Sequence, residues 1–308
     1  MQLCTWLSLA FIAIWAGMLQ TDISNLATLF TVNAAAQLTL FTLVACIPFW
    51  RTQRISYVDI AWPFGVATIG LCILLFGEGD TLRRLVVAGV YLFIGLRMGV
   101  GAVVMAYKTG VIFKHEFPRY QYRHMVLEQS GTKHVKLHML TEILTQGFAN
   151  MSVLAIPGFL MAINPESSLS PWEIAGLLLW AAAYILESVA DSQKLLFISR
   201  KSGDVCNIGL WKYSRHPNYF GEWLVWTGLV LATVPSWLAM QSIESSPVWW
   251  LAGVGAVGAS VMMFITLVFL TGAIPAEYYS VQKRPGYREY QARTSIFFPW
   301  FPKKSTSA

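Results

Sequence analysis

Apolar residues run through this chain in long blocks separated by short polar links, and the blocks match the thickness of a bilayer. Eight windows approach or exceed the roughly 20 apolar residues that cross a hydrocarbon core: 3–20, 28–50, 57–77, 85–107, 139–163, 171–195, 217–240 and 248–272. They lack the period-two alternation of barrel strands. In lipid the remaining way to satisfy the backbone is the helix. The pattern therefore predicts an all-α, polytopic transmembrane helix bundle of 7–8 helices. The first window is the weakest. It has the length of a signal peptide, but no basic segment precedes it and no small-residue cleavage site follows. It is read as a helix.

Composition supports the pattern. Of 308 residues, 56% are hydrophobic and 12% charged, against about 25% charged in an average soluble domain. The 13 Trp, 18 Phe and 12 Tyr suit aromatic belts at the headgroup level.

Charge gives an orientation. Lys108, Lys114, Arg119, Arg123, Lys133 and Lys136 fall in one link, and Lys194, Arg200, Lys201, Lys212 and Arg215 in another. The tail is also basic, and Arg51 and Arg54 occupy the short link at 51–56, whereas links 164–170 and 241–247 carry no Lys or Arg. With eight spans, all four basic segments fall on one face. Basic loops stay in the cytoplasm, so both termini are expected there, in a bacterial inner membrane. Only Arg83 and Arg84 dissent, in the company of Glu78 and Asp80. The net charge of +6 is then a collar suited to anionic lipid, and no nucleic-acid partner is expected. The four cysteines are scattered without metal-ligand spacing, so neither a metal nor a disulfide framework is indicated.

Polar residues at membrane depth are functional candidates. Glu187 and Asp191 lie four apart near the end of the sixth span, on one helical face. An ordinary helix end emerging into water would also look like this. The densest cluster follows: Tyr213-Ser214-Arg215-His216-Pro217-Asn218-Tyr219-Phe220-Gly221-Glu222. Pro217 suits a first helical turn. Asn218 and Glu222 then share a face with Trp226 below them. Arg215 and His216 sit at a helix N-terminus, where an anion is favoured. Arg215, Arg200 and Lys201 together are candidates to hold a phosphate or carboxylate. In the tail, Glu277, Tyr287, Tyr290 and Arg293 precede the aromatic run Phe297-Phe298-Pro299-Trp300-Phe301, an interfacial anchor whose preceding stretch is suited to close over a bound cofactor.

This order of features resembles the steroid 5-alpha-reductase C-terminal superfamily, and within it the bacterial DUF1295 branch. The specific match covers about 184–302, with a weaker match at Tyr57-Val58-Asp59-Ile60-Ala61-Trp62-Pro63-Phe64-Gly65. It divides the chain into N-terminal helices (1–50) and a reductase-like transmembrane domain (51–308). An extra N-terminal helix departs from the seven spans often described for the family. The resemblance implies NADPH-dependent reduction of a carbon–carbon double bond conjugated to a ketone, in a 3-oxo-4-ene steroid or another hydrophobic enone lipid. Carried over by position, Asn218, Glu222 and Trp226 lie beside the nicotinamide, with Asp191 and Glu187 on the preceding helix. Arg200 and Lys201 match the family's basic loop, and Tyr213, Arg215, His216, Tyr219, Tyr287 and Arg293 complete the cofactor set.

The chemistry also needs a donor for the ketone oxygen, where charge develops. Asp59 falls near the family's Gln of a Gln-Glu pair, without a second acid beside it, and Ile94 stands where the family has a Tyr. Asp59 serves as a donor only if protonated; its structural alternative is a salt bridge to Arg54 or Arg97. Tyr57 and Tyr91 are the other donors considered. The same superfamily holds S-adenosylmethionine-dependent isoprenylcysteine and phospholipid methyltransferases with a similar Arg-His-Pro run. Those enzymes carry paired acids after the last helix, whereas Glu277 stands alone. The reductase reading is preferred, and the methyltransferase is the alternative.

Overall fold

The computed structural model describes residues 2–110, 112–200 and 203–304. Its helices in chain order are α1 (Gln2–Met18), α2 (Ser24–Phe41), α3 (Ile47–Thr52), α4 (Val58–Phe76), α5 (Thr81–Thr109), α6 (Pro118–Gln129), α7 (Val135–Met151), α8 (Ile156–Ile163), α9 (Pro171–Ser199), α10 (Pro217–Ala239), α11 (Ser246–Ile265), α12 (Ala273–Lys283) and α13 (Tyr287–Arg293). Among the described residues seven continuous helical segments are long and apolar enough to cross a membrane, and α1 is a shorter apolar helix. The chain is therefore an all-α, polytopic integral membrane protein. Large apolar side chains such as Leu43, Leu75, Leu85, Leu178, Val254 and Val261 are exposed along these segments, as a lipid-facing surface requires.

The chain divides into two compact units, residues 1–174 with 230–259, and residues 175–229 with 260–308. In the first, α4 packs on α5 and α2, and α2 packs on α7. Gly95 lets α4 and α5 approach closely, since a Cβ there would stand 2.3 Å from the Ala67 amide nitrogen. Within the apolar window at 139–163 the helix breaks between α7 and α8. Pro157 lies in the first turn of α8, where it lacks an N–H to give. Tyr91 fills the break: its hydroxyl donates to Leu154 O at 2.7 Å and accepts from Gly158 N at 3.2 Å. Tyr91, a candidate substrate donor by sequence, has its proton committed to the Leu154 carbonyl instead.

The dissenting Arg83 is also explained. It is buried, and its Nε and Nη2 donate to Glu173 at 2.5 and 3.2 Å. Nη1 donates to the carbonyls of Asn164 and Glu166, and Nη2 also reaches Ser168 O. Glu173 closes a capping box at the start of α9, with Ser170 N–H donating to its carboxylate at 2.7 Å and its own N–H donating to Ser170 Oγ at 3.2 Å. Arg84 donates to Gly77 O. These two arginines hold the chain together locally rather than forming part of a basic loop.

Candidate functional site

The second unit contains the motif. It begins on α9 and α10, which run antiparallel: a Cβ on Gly221 would meet the backbone of Glu187 at 2.9 Å, and one on Gly228 would meet Gly176 O and Trp180 N at 2.7 Å. As α10 advances, the facing residue on α9 recedes. Two glycines seven apart on one face of α10 allow this approach. It brings Asn218 onto Asp191, with Asn218 Nδ2 donating to Asp191 Oδ1 at 3.1 Å. Asn218 Oδ1 is buried and has no hydrogen-bond partner. Glu187 is buried, Glu222 half-buried, and Trp226 fully enclosed on the same helix.

Just before α10 the chain is bound to the tail. The helix that contains α11 breaks at Thr271–Gly272, and α12 then carries Glu277. Glu277 is a hub. Its Oε1 accepts from Arg215 Nε at 2.6 Å and its Oε2 from Arg215 Nη2 at 3.2 Å. Oε1 also pairs with His216 Nε2 at 3.0 Å, and Oε2 accepts from Gln291 Nε2 at 2.6 Å. The remaining terminal nitrogen of Arg215 donates to Gln291 O at 3.0 Å and Thr294 O at 2.5 Å. Burial pulls the His216 pKa down, against the hydrogen bond to Glu277, which raises it. His216 is thus a neutral imidazole near pH 7, with its Nε2–H directed to the carboxylate. Tyr219 stacks on it at 5.2 Å between ring centroids.

Further contacts extend the closure. Arg215 N–H donates to Ser295 O at 2.8 Å, Ser214 Oγ to Phe297 O at 2.8 Å, and Trp300 N–H to Tyr213 O at 2.9 Å. Tyr290 OH donates to Trp211 O at 2.5 Å. The rings of Phe220, Trp223, Phe264, Phe297 and Phe298 form one cluster. The aromatic run read as an interfacial anchor therefore splits: Phe297 is buried in this cluster, while Phe298, Trp300 and Phe301 are exposed.

Two expectations need correction. Arg215 is expected to meet an external anion, but its Nε, Nη1 and Nη2 are engaged by Glu277 and two backbone carbonyls. Glu277, which has no second acid beside it in the sequence, is the partner of Arg215 and His216. Arg293 is exposed and pairs with Glu289 one turn away at 3.4 Å, an ordinary surface contact. Tyr287 is buried against Tyr290, and the Tyr213 ring meets Phe301 edge-on. Arg200 is exposed where α9 ends. Lys201 lies outside the described residues.

In the first unit, Asp59 accepts from Arg119 Nη2 at 2.6 Å and from Tyr120 OH at 2.7 Å. A salt bridge to Arg54 or Arg97 was the structural alternative; the partner is Arg119, delivered by α6. A carboxylate that accepts from a guanidinium and a phenol is an acceptor, which removes the case for Asp59 as proton donor. Tyr57 OH accepts from Arg54 Nη2 at 3.3 Å, an arrangement that leaves its own proton available. Nearby Glu116 accepts from Ile55 N at 2.6 Å, and burial pushes its pKa up to about 7. Among the described residues no group of His, Cys, Asp and Glu is arranged to hold a metal.

Comparison with known proteins places this architecture. The chain is 24% identical over 273 residues to the uncharacterized protein C594.04c of Schizosaccharomyces pombe, which covers 80% of this chain and 73% of that one. No solved structure matches. The family described as "Protein of unknown function (DUF1295)" matches residues 48–294, from α3 to the end of α13. The glycine-spaced helix pair, the motif and the part of the tail that carries Glu277, Gln291 and Thr294 fall within that stretch, and the chain belongs to the DUF1295 family.

Proposed function

We propose that this chain is a membrane-embedded NADPH-dependent reductase of an enone carbon–carbon double bond, with a 3-oxo-4-ene steroid or another hydrophobic enone lipid as substrate. One observation carries the cofactor reading: Asn218 is fixed by Asp191 through its amide nitrogen, and its Oδ1 is buried without a partner. A buried acceptor left unmet is costly. An N–H or O–H donor relieves it, and the carboxamide of a nicotinamide is one such group. This free acceptor fits the cofactor that the resemblance implies.

In this reading Asn218 and Asp191 orient the nicotinamide end, with Glu222 and Trp226 on the same helix. When bound, the cofactor supplies the hydride. The tail, held by Glu277, keeps the start of α10 in place. In the first unit, taken by itself, the Tyr57 hydroxyl keeps a proton to donate, whereas Asp59 accepts from Arg119 and Tyr120. In this reading the motif faces the cytoplasm, as the basic links favour, where the nucleotide is available.

The test uses the purified full-length chain in detergent, with thermal shifts measured for NADPH and for S-adenosylmethionine. A shift with NADPH that is lost in Asn218→Leu, with the unliganded melt unchanged, supports the reading. A shift with S-adenosylmethionine and none with NADPH overturns it in favour of a methyltransferase. NADPH consumption with a 3-oxo-4-ene steroid then tests the substrate class.

A further inference from the structure

The aromatic run that ends the tail lies half inside and half outside the protein. Phe297 is buried, whereas Phe298, Trp300 and Phe301 are 53%, 74% and 77% exposed. Large rings clustered in the open mark a contact surface rather than one that faces water. Lys303 and Lys304 follow directly and are exposed, as is Lys212. The stretch 294–304 holds no acid.

Contacts within the second unit fix the depth of this stretch. The Phe298 ring lies 6.0 Å from Phe220, 5.7 Å from Trp223 and 6.0 Å from Phe264, centroid to centroid. Phe220 and Trp223 are in the first two turns of α10, and Phe264 stands two turns before the break at Thr271–Gly272. Both helices belong to membrane-spanning segments, so Phe298 sits beside the outermost turns of two spans. Two residues on, Trp300 N–H donates to Tyr213 O at 2.9 Å, four residues before Pro217 opens α10. Phe301 meets the Tyr213 ring at 5.9 Å, and Lys303 N–H returns to Arg293 O at 2.9 Å. The exposed rings are thus held at the level of the lipid headgroups, where Trp is enriched. Lysines at that level are drawn to anionic lipid.

The same stretch pins the motif. Ser214 Oγ donates to Phe297 O, Arg215 N–H to Ser295 O, and Trp300 N–H to Tyr213 O. What holds 295–301 in place therefore also holds 213–215, the residues that lead into α10.

We propose that residues 298–304 are seated in the bilayer interface, with the three rings among the headgroups and Lys303 and Lys304 on anionic lipid, and that this seating orders the Tyr213–Arg215 entry to the motif. An anionic membrane surface is the partner of this face, and its charge regulates the order of the site. Neither part depends on which cofactor the motif takes.

The experiment measures amide hydrogen exchange of the full-length protein in nanodiscs that hold one copy each, made of phosphatidylcholine with and without phosphatidylglycerol. The peptides read are those with the Arg215 and Trp300 amides. Their protection is expected to rise with phosphatidylglycerol. Lys303→Gln with Lys304→Gln is expected to remove that rise, by about fivefold in protection for each lysine. Trp300→Ser with Phe301→Ser is expected to lower protection in both bilayers. Trp300→Tyr with Phe301→Tyr is expected to retain it, since tyrosine also belongs at the interface, and this separates loss of seating from misfolding. Protection that is the same in both lipids and unchanged in the Ser and Gln variants overturns the proposal. Protection that appears only in discs holding two copies overturns it as well, and makes a second chain the cover of these rings.

Discussion

Arg215 donates twice to Glu277, at 2.6 and 3.2 Å, across 62 residues of sequence. The pair joins the entry of α10 to α12, with His216 and Gln291 on the same carboxylate. Breaking a buried pair from one side leaves an uncompensated charge, at a cost of about 3–5 kcal/mol. Glu277→Ala is therefore expected to lower the melting temperature markedly in detergent. Arg215→Met combined with Glu277→Leu is expected to lose less than the sum of the single variants. An additive double variant would show that the two residues do not act as a pair.

The close approach of α9 and α10 makes a packing prediction. Gly228→Ala places a methyl group 2.7 Å from backbone atoms of Gly176 and Trp180, and backbone cannot step aside cheaply. Overpacking of this kind costs about 1–3 kcal/mol. Gly89→Ala is the control, because nothing lies within 4 Å of a Cβ there. Equal melts for the two variants would contradict the contact.

Two groups outside the membrane-spanning segments give opposite pH dependences. Burial lowers the His216 pKa, so below its ordinary value near 6.5 the unfolded chain takes up the proton first. Stability due to His216 is full above that value and falls as pH drops through the folded pKa. Glu116 is raised to about 7 from 4.5, so the folded chain holds its proton in that interval. Its contribution is full below 4.5 and is lost as pH rises through about 7. Melts between pH 4.5 and 8 of His216→Asn and Glu116→Gln should thus shift the slope in opposite directions. Slopes that move together would contradict the assignment.

The Asp59 site gives a positional prediction. Arg119→Gln removes the guanidinium from Asp59 while Tyr120 OH remains. If Tyr57 is the donor, Tyr57→Phe should lower kcat for an enone at least ~100-fold, the range of general-acid contributions. Asp59→Asn should do so by far less. The reverse order of effects would return Asp59 to the donor role.

The spans were legible because burial in lipid needs only a long apolar run, and all eight windows contain helix. The break between α7 and α8 was not, because the apolar run continues through it and Pro157 is the only local cue. Asn218 beside Asp191 was half legible: helical spacing sets each residue on a face, but the glycine contacts decide that the faces meet. The partners of Arg215 and Asp59 were illegible for a common reason. Glu277 and Arg119 arrive on helices that fold back after a break or a loop, and no local period encodes such a return. Residue type pointed to cations and acids correctly, and tertiary pairing decided which of them remain available to a ligand.

Arg83 has a consequence for biogenesis. Its counter-ion Glu173 lies 90 residues later, and a ribosome adding about 5–20 residues per second needs several seconds to reach it. During that interval α5 must reside at the membrane with a guanidinium that has neither its carboxylate nor the carbonyls of 164–168 to bond. The native bonds of Arg83 therefore form only after the 164–173 segment has been made, so the local arrangement of this end of the protein is completed late in synthesis.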